Sequence, residues 1–337
     1  MQFTSFKEIS LISNYKLASF VEFEKPKSVQ TPNGKREYKF SNNAIVASVV
    51  LINFNHGHYL EEALNSIINQ TYPNIEIIVI DGGSVDNSKA ILQKHNGIKW
   101  ISEADNNGGH AFAKGVELAT GSFVYFLTSS DGFFDTNWVK TSVELLSSNS
   151  GVALVSGDVI GVRKNSVLNG YKWPKGDPAE WGNKELFFNW LFNGVGFTPV
   201  SFVIRREVLR ICAPSIDLIL DYSNSNSVNY FWYLTGKFFN SGFIGIKLPV
   251  ISTFVRFHGD RIEDAAYLPR QNNLLHSTIV SRRRELMISR KPAIFISPSG
   301  EVIENENIPY LEVARRFFLA KLYNIWSRAK SDSFDLE

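Results

Sequence analysis

Phe123-Val-Tyr-Phe-Leu-Thr-Ser-Ser-Asp-Gly-Phe-Phe134 is the stretch that decides the fold. It opens on five apolar residues, which read as a buried strand. It then turns polar and delivers a single carboxylate, Asp131, followed by Gly132. In an open α/β sheet, ligands collect just beyond the carboxyl ends of the strands. A lone acid at that place either holds a divalent cation or caps a following helix, here one beginning near Asp135.

Upstream of it, the apolar run Ile45–Ile52 predicts a central strand that ends in the polar loop Asn53-Phe-Asn-His-Gly57. Leu60, Ala63, Leu64, Ile67 and Ile68 then fall on one helical face, with Glu61 and Glu62 expected in the first turn, where the helix dipole favours acids. Tyr72-Pro73-Asn74 ends that helix. Ile75–Ile80 is a second strand, stopping at Asp81-Gly-Gly-Ser84, and a further helix begins near Asp86. Such a βαβ unit implies parallel strands joined by a right-handed crossover. Lys99–Ser102 reads as a short third strand, 103–109 as a loop and His110–Leu118 as a helix. Alternation over 45–135 predicts an α/β fold with a doubly wound, mostly parallel sheet flanked by helices. Parallel strands would bring Asn53 and Asn55, Asp81 and Asp131 to one edge.

Downstream, Trp138–Ser147 is expected to be helical and Val152–Ser156 a strand. Residues 161–197 read as loop-rich, with Trp173, Trp181 and Trp190 assigned to core or lid packing ahead of an acceptor platform. Thr198–Ile204 is strand-like, Tyr230–Leu234 an aromatic helix, and Phe243–Lys247 and Val250–Phe257 two strands. Asn33-Gly34 predicts an N-terminal hairpin. Residues 268–290 and the apolar-striped, basic segment Leu311–Lys330 predict a C-terminal helical appendage. The expected organisation is an extension over 1–43, two halves of one domain over 44–160 and 161–265, and the appendage over 266–337.

The 337-residue chain is 44% hydrophobic, enough for a sizeable core, and its net charge of +2 gives a nucleic-acid role no support. Cys212 is the single cysteine, so no intrachain disulfide forms. Neither a signal-peptide pattern nor a spanning apolar run of ~20 residues is present in the sequence. The expected location is the cytoplasm, or the inner face of the membrane, contacted through the basic C-terminal helix.

Several segments together resemble the family 2 glycosyltransferases of the GT-A fold. They are Ser48-Val-Val-Leu-Ile-Asn-Phe-Asn55, Leu60–Asn74, Ile77-Ile-Val-Ile-Asp-Gly-Gly-Ser84, Ser102-Glu-Ala-Asp-Asn106, Lys114-Gly115, Ala119-Thr-Gly121 and the opening stretch. Weaker echoes follow at Gly157-Asp158, Phe202–Val208, Asp217 and Arg256-Phe-His-Gly259. The resemblance implies inverting transfer of a sugar from a nucleotide-diphosphate sugar, usually UDP-linked, to a glycan or lipid-linked glycan acceptor. It gives Asn53, Phe54, Asn55 and Asp81 to the nucleotide base, and places His110 and Lys114 at the donor. Ser130 and Asp131 would hold ribose and a Mg²⁺ or Mn²⁺ ion, joined by His258 at the metal. Ser130 stands where the family usually carries a first acid. For the general base the candidates are Asp217 and Asp221, because Ser225–Trp232 holds no carboxylate.

Beside these roles stand plainer ones. Asp81 suits an ordinary turn, Asn53 and Asn55 loop-backbone bonding, His110 a helix cap, and Arg282–Arg284 a solvated face. The rival functions are a non-catalytic nucleotide-sugar-binding or scaffold member of the same fold and a nucleotidyltransferase. A homo-oligomer is compatible with either.

Overall fold

The computed structural model describes residues 45–163, 166–173, 186–188, 190–191, 197–216, 227–257, 281–282, 284–286, 292–306, 311, 314–315 and 318. The expected hairpin at Asn33-Gly34, Trp181 and most of the C-terminal appendage lie outside them.

Four parallel strands form the first half of a nine-stranded sheet: β1 (Ala47–Asn53), β2 (Ile75–Asp81), β3 (Lys99–Ser102) and β4 (Phe123–Thr128). They lie in the order β3-β2-β1-β4. Between them run α1 (Gly57–Ile68), α2 (Ser88–Lys94) and α3 (Gly108–Leu118). All seven residues of β2 are buried, as expected of a parallel strand covered on both faces. At Gly115 of α3, a Cβ would lie 2.2 Å from Val50 Cγ1, so the helix approaches β1 as closely as only glycine permits.

Beyond β4 the sheet turns mixed. β8 (Phe202–Arg205) pairs antiparallel with β4, and β6 (Leu154–Arg163) antiparallel with β8. β9 (Gly245–Phe257) runs parallel to β6, and β5 (Gly132–Phe133) closes the order antiparallel to β9. Three sequence expectations are revised here. Part of the segment read as loop-rich is β7 (Ser166–Trp173), which hairpins onto β6. Thr198–Ile204 is not strand throughout, because Pro199–Ser201 form a 3₁₀ turn before β8. Phe243–Lys247 and Val250–Phe257 merge largely into one strand, β9. Pro249 is accommodated where the register jumps from Ser156↔Lys247 to Asp158↔Ile251, so its missing N–H breaks no ladder bond.

Further helices are α4 (Trp138–Ser148), α5 (Arg206–Cys212) and α6 (Ser227–Ser241). The predicted tryptophan packing holds at Trp190, which is buried and stacks on Phe239 with ring centroids 5.5 Å apart. Phe197 stacks on the same ring at 5.2 Å. Much of the chain's aromatic content thus fills the core. β10 (Ala293–Ile296) and β11 (Val302–Glu306) form a separate hairpin. Among the described residues, no helix is long and apolar enough to cross a membrane.

At the amino ends of the first strands sits Glu76, a carboxylate inside an otherwise apolar run. It accepts from Ser48 Oγ, Lys99 Nζ and both the amide (2.9 Å) and hydroxyl (2.8 Å) of Thr120. Burial pushes its pKa up, but these donors together outweigh burial and hold it below its ordinary value of 4.5. Its stabilising contribution is therefore present above pH 4.5 and lost as pH falls through the folded-state value. Glu76→Gln should cost about 1–2 kcal/mol at neutral pH and flatten the acid limb of the stability curve, as measured by urea unfolding across pH.

Candidate active site

The carboxyl ends of β1, β2 and β4 come together as the sequence predicts. β1 and β2 are in register, with Asn53 opposite Asp81, and Ile52 lies opposite Thr128 of β4. Asn53 Nδ2 donates to Asp81 Oδ1 at 2.7 Å and to Ser84 Oγ at 3.2 Å. Asp81 is fully buried, and both its oxygens are engaged. Oδ1 also accepts from Ser84 Oγ at 2.5 Å, while Oδ2 accepts from Ser84 N at 3.0 Å and Ser102 Oγ at 2.5 Å. Four donors, from β1, β3 and the loop after β2, converge on this one carboxylate, which makes it the organiser of the strand ends.

Asn55 has φ 55° and bridges the same loops, accepting from Val85 N at 2.9 Å while its own amide donates to Ser84 Oγ at 2.8 Å. The left-handed conformation suits asparagine. It turns the chain into α1, which begins at Gly57. Glu61 and Glu62 accordingly fall beyond the first turn, contrary to expectation. The helix start is secured from a distance, by Asp86 Oδ2 accepting from Gly57 N at 2.7 Å. Phe54, between the two asparagines, stays 50% exposed.

α3 begins two residues before the expected position, at Gly108, and its cap is Asn107 rather than His110: Asn107 Oδ1 accepts from His110 N at 2.9 Å. His110 and Lys114, four residues apart on this helix, both approach Asp105 Oδ1. Lys114 Nζ meets Asp105 Oδ1 at 2.5 Å and Glu103 Oε1 at 2.7 Å. Burial alone would lower the Lys114 pKa, but the two carboxylates raise it above its ordinary value. Lys114 likewise lowers that of Glu103, first through the hydrogen bond.

Asp131 is 1% exposed. Its Oδ1 accepts from Arg256 N at 3.0 Å and its Oδ2 from Thr128 Oγ1 at 2.7 Å. It does not cap a helix. Gly132 and Phe133 continue as β5, and α4 starts only at Trp138, with Asp135 Oδ1 accepting from Asn137 N. Gly132 is required by packing, since a Cβ there would lie 2.8 Å from both Ser66 Oγ and the Phe254 ring. Ser130 is buried, with Thr128 Oγ1 3.2 Å from its hydroxyl.

Arg256 contributes more than its amide. Its guanidinium bonds Glu62 Oε2 at 2.8 Å and lies over the Tyr59 ring at 5.0 Å, tying α1 to β9 beside Asp131. Neither Glu62 nor the Arg256 side chain stands out as a site residue in the sequence, because their pairing spans 194 positions. Asp158 is also buried and pairs with Lys247 Nζ at 2.5 Å. Asp217, Asp221 and His258 lie outside the described residues.

No three His, Cys, Asp or Glu side chains cluster as a metal site among the described residues. Asp131 could hold a cation that takes a single protein carboxylate, as Mg²⁺ commonly does.

Residues 48–211 match the family model of glycosyl transferase family 2, which supports the expected family for this segment. An uncharacterized glycosyltransferase of Haemophilus influenzae is 30% identical over 182 residues, covering 50% of this chain and 54% of that one. A putative teichuronic acid biosynthesis glycosyltransferase of Bacillus subtilis is 32% identical over 104 residues, 29% of this chain and 39% of its own. The matches thus span about half, or less, of these relatives' lengths. In structure, residues 1–349 of Staphylococcus aureus TarS in complex with UDP-GlcNAc superpose with a TM-score of 0.53 at 16% identity. That match covers 81% of this chain and 70% of the TarS fragment, and it shows the expected GT-A-like α/β fold.

Proposed function

We propose that this chain is an inverting glycosyltransferase that moves a sugar from a UDP-linked donor to a glycan or lipid-linked glycan, in surface polysaccharide biosynthesis. The observation that carries the reading is Asp131, oriented by Arg256 N and Thr128 Oγ1 at the end of β4, inside the segment that matches the family. The Bacillus relative's role and the UDP-GlcNAc bound to TarS support the choice of product and donor.

In this reading Phe54 stacks on the base, Lys114 and His110 line the donor, and Ser130 bonds ribose. Asp131 holds the cation, joined by His258. That cation, Mg²⁺ or Mn²⁺, would neutralise charge developing on the diphosphate as it leaves. Direct displacement at the anomeric carbon inverts its configuration and requires a base within reach of the acceptor hydroxyl, a role assigned to Asp217 or Asp221. Asp81 and Asn53 shape the pocket from behind.

The test is release of UDP from a panel of UDP-sugars by the full chain with Mn²⁺. Release should fall at least tenfold on chelation with EDTA and return when Mn²⁺ is restored in excess. Failure of the chain to bind UDP with or without Mn²⁺ would overturn the reading. UDP binding without turnover, across every donor and acceptor, would favour a non-catalytic sugar-nucleotide-binding member. Ser130 in the position of the first acid is the observation that keeps this second reading in view.

A further inference from the structure

The loop after β3 carries an acid that the site as described does not use. Asp105 has a side chain only 8% exposed. Its Oδ1 is held by Lys114 Nζ, with His110 Nδ1 3.9 Å away. Its Oδ2 has lost its solvent yet accepts no hydrogen bond among the described residues. A buried carboxylate oxygen without a donor bears the cost of desolvation uncompensated, so a bound ligand is a natural partner for it.

The direction of that oxygen is defined by Gly82. A Cβ built there would lie 3.5 Å from Asp105 Oδ2 and 3.1 Å from Phe54 Cδ2. The orphan oxygen and the ring edge thus flank the same point, just past the end of β2. Gly82 leaves that point empty. Phe54 is half exposed, so its ring can turn outward and uncover Oδ2 without disturbing the core. Asp81, the neighbouring acid, has no such opening, because four protein donors already fill its two oxygens.

We infer that Asp105, and not Asp81, is the acceptor for the ring N–H of the donor's uracil base, with Phe54 stacked on the base face. The inference rests on the proposed use of a UDP-linked donor and names the residue that selects its base. Uracil N3–H lies between two carbonyls. With N3–H on Asp105 Oδ2, the Lys114 ammonium beside Oδ1 is placed to donate to one of them. Cytosine in the same pose turns an unprotonated N3 toward the carboxylate, and two lone pairs then face each other. A hydrogen-bonding site left mismatched in this way discriminates strongly against the wrong ligand. Entry of the base requires the Phe54 ring to leave Gly82, so the aromatic side chain covers the acceptor in the free protein and the base in the complex.

UDP and CDP differ only on this edge of the ring, which makes their affinity ratio the measurement. By titration calorimetry with the full chain and Mn²⁺, native protein should prefer UDP to CDP by at least tenfold. Asp105→Asn should weaken UDP by roughly tenfold and leave CDP within about threefold of native, because the carboxamide offers cytosine N3 a donor. Phe54→Ala should weaken both nucleotides alike, since stacking does not read the edge. If Asp105 served only to anchor Lys114, UDP and CDP would weaken together in Asp105→Asn, and that result would overturn the assignment. So would a native protein indifferent to UDP and CDP. Absence of all nucleotide binding by native protein would remove the proposed function itself, and this assignment with it. Thermal unfolding of each variant checks that the loop still folds.

Discussion

Asp131→Asn should reduce sugar transfer by roughly two to three orders of magnitude while leaving the fold essentially intact. Its hydrogen bonds with Arg256 N and Thr128 Oγ1 can both survive the substitution. The carboxamide oxygen can keep the bond from Arg256 N, and the new Nδ2 can donate to Thr128 Oγ1. Thr128 then turns its proton toward Ser130 Oγ, 3.2 Å away. What disappears is the negative charge. The resemblance implies a first acid at position 130, but here Ser130 is neutral and no alternative metal cluster exists among the described residues. A cation held there would lose its carboxylate ligand and keep only the proposed His258. UDP-sugar turnover and Mn²⁺-dependent UDP affinity should fall together, with a melting temperature close to native. Transfer within threefold of native would show that this carboxylate does not hold the charge.

The sheet was legible because long β-branched and apolar runs separated by helix-period segments admit few arrangements. Residues at the carboxyl ends of β1, β2 and β4 were identified for the same reason, since parallel strands carry their ends to a common edge. Long-range pairing was not legible. Nothing local to Gly57 announces that Asp86, 29 residues on, receives its amide and starts α1 earlier than its apolar stripe suggests. Nothing near Glu62 points to Arg256. Some signals were present and unread. Glu76 within IEIIVID, and Asp158 and Lys247 within apolar strands, are charges that burial forces into partnership. Their apolar surroundings alone predict a paired state. Asp105 gave less to read, because its distinction is an oxygen without a partner, which only packing discloses.

Asp81, a matching motif residue, carries structural work in this fold. The resemblance gives it to the base, whereas its geometry ties Asn53 of β1, Ser84 of the loop after β2 and Ser102 of β3 into one knot. Asp81→Ala should therefore act first on stability, by about 4 kcal/mol, because it strands Ser84 N and two serine hydroxyls in a buried place and leaves Asn53 Nδ2 only its longer bond to Ser84 Oγ. Asp81→Asn should cost about half as much. Both serine hydroxyls can rotate, and the Asn53 amide can flip to present its own oxygen, which is buried and accepts no hydrogen bond among the described residues. Denaturant unfolding of the two variants would resolve these values. A base-binding Asp81 predicts the opposite pattern: native-like stability and a collapsed preference for UDP over CDP. If Asp81 is the knot and Asp105 the reader, Asp81→Asn weakens both nucleotides through the loosened loop and preserves their ratio, whereas Asp105→Asn leaves unfolding near native and erases it. The two substitutions, measured side by side, separate the carboxylate that builds the pocket from the one that reads its contents.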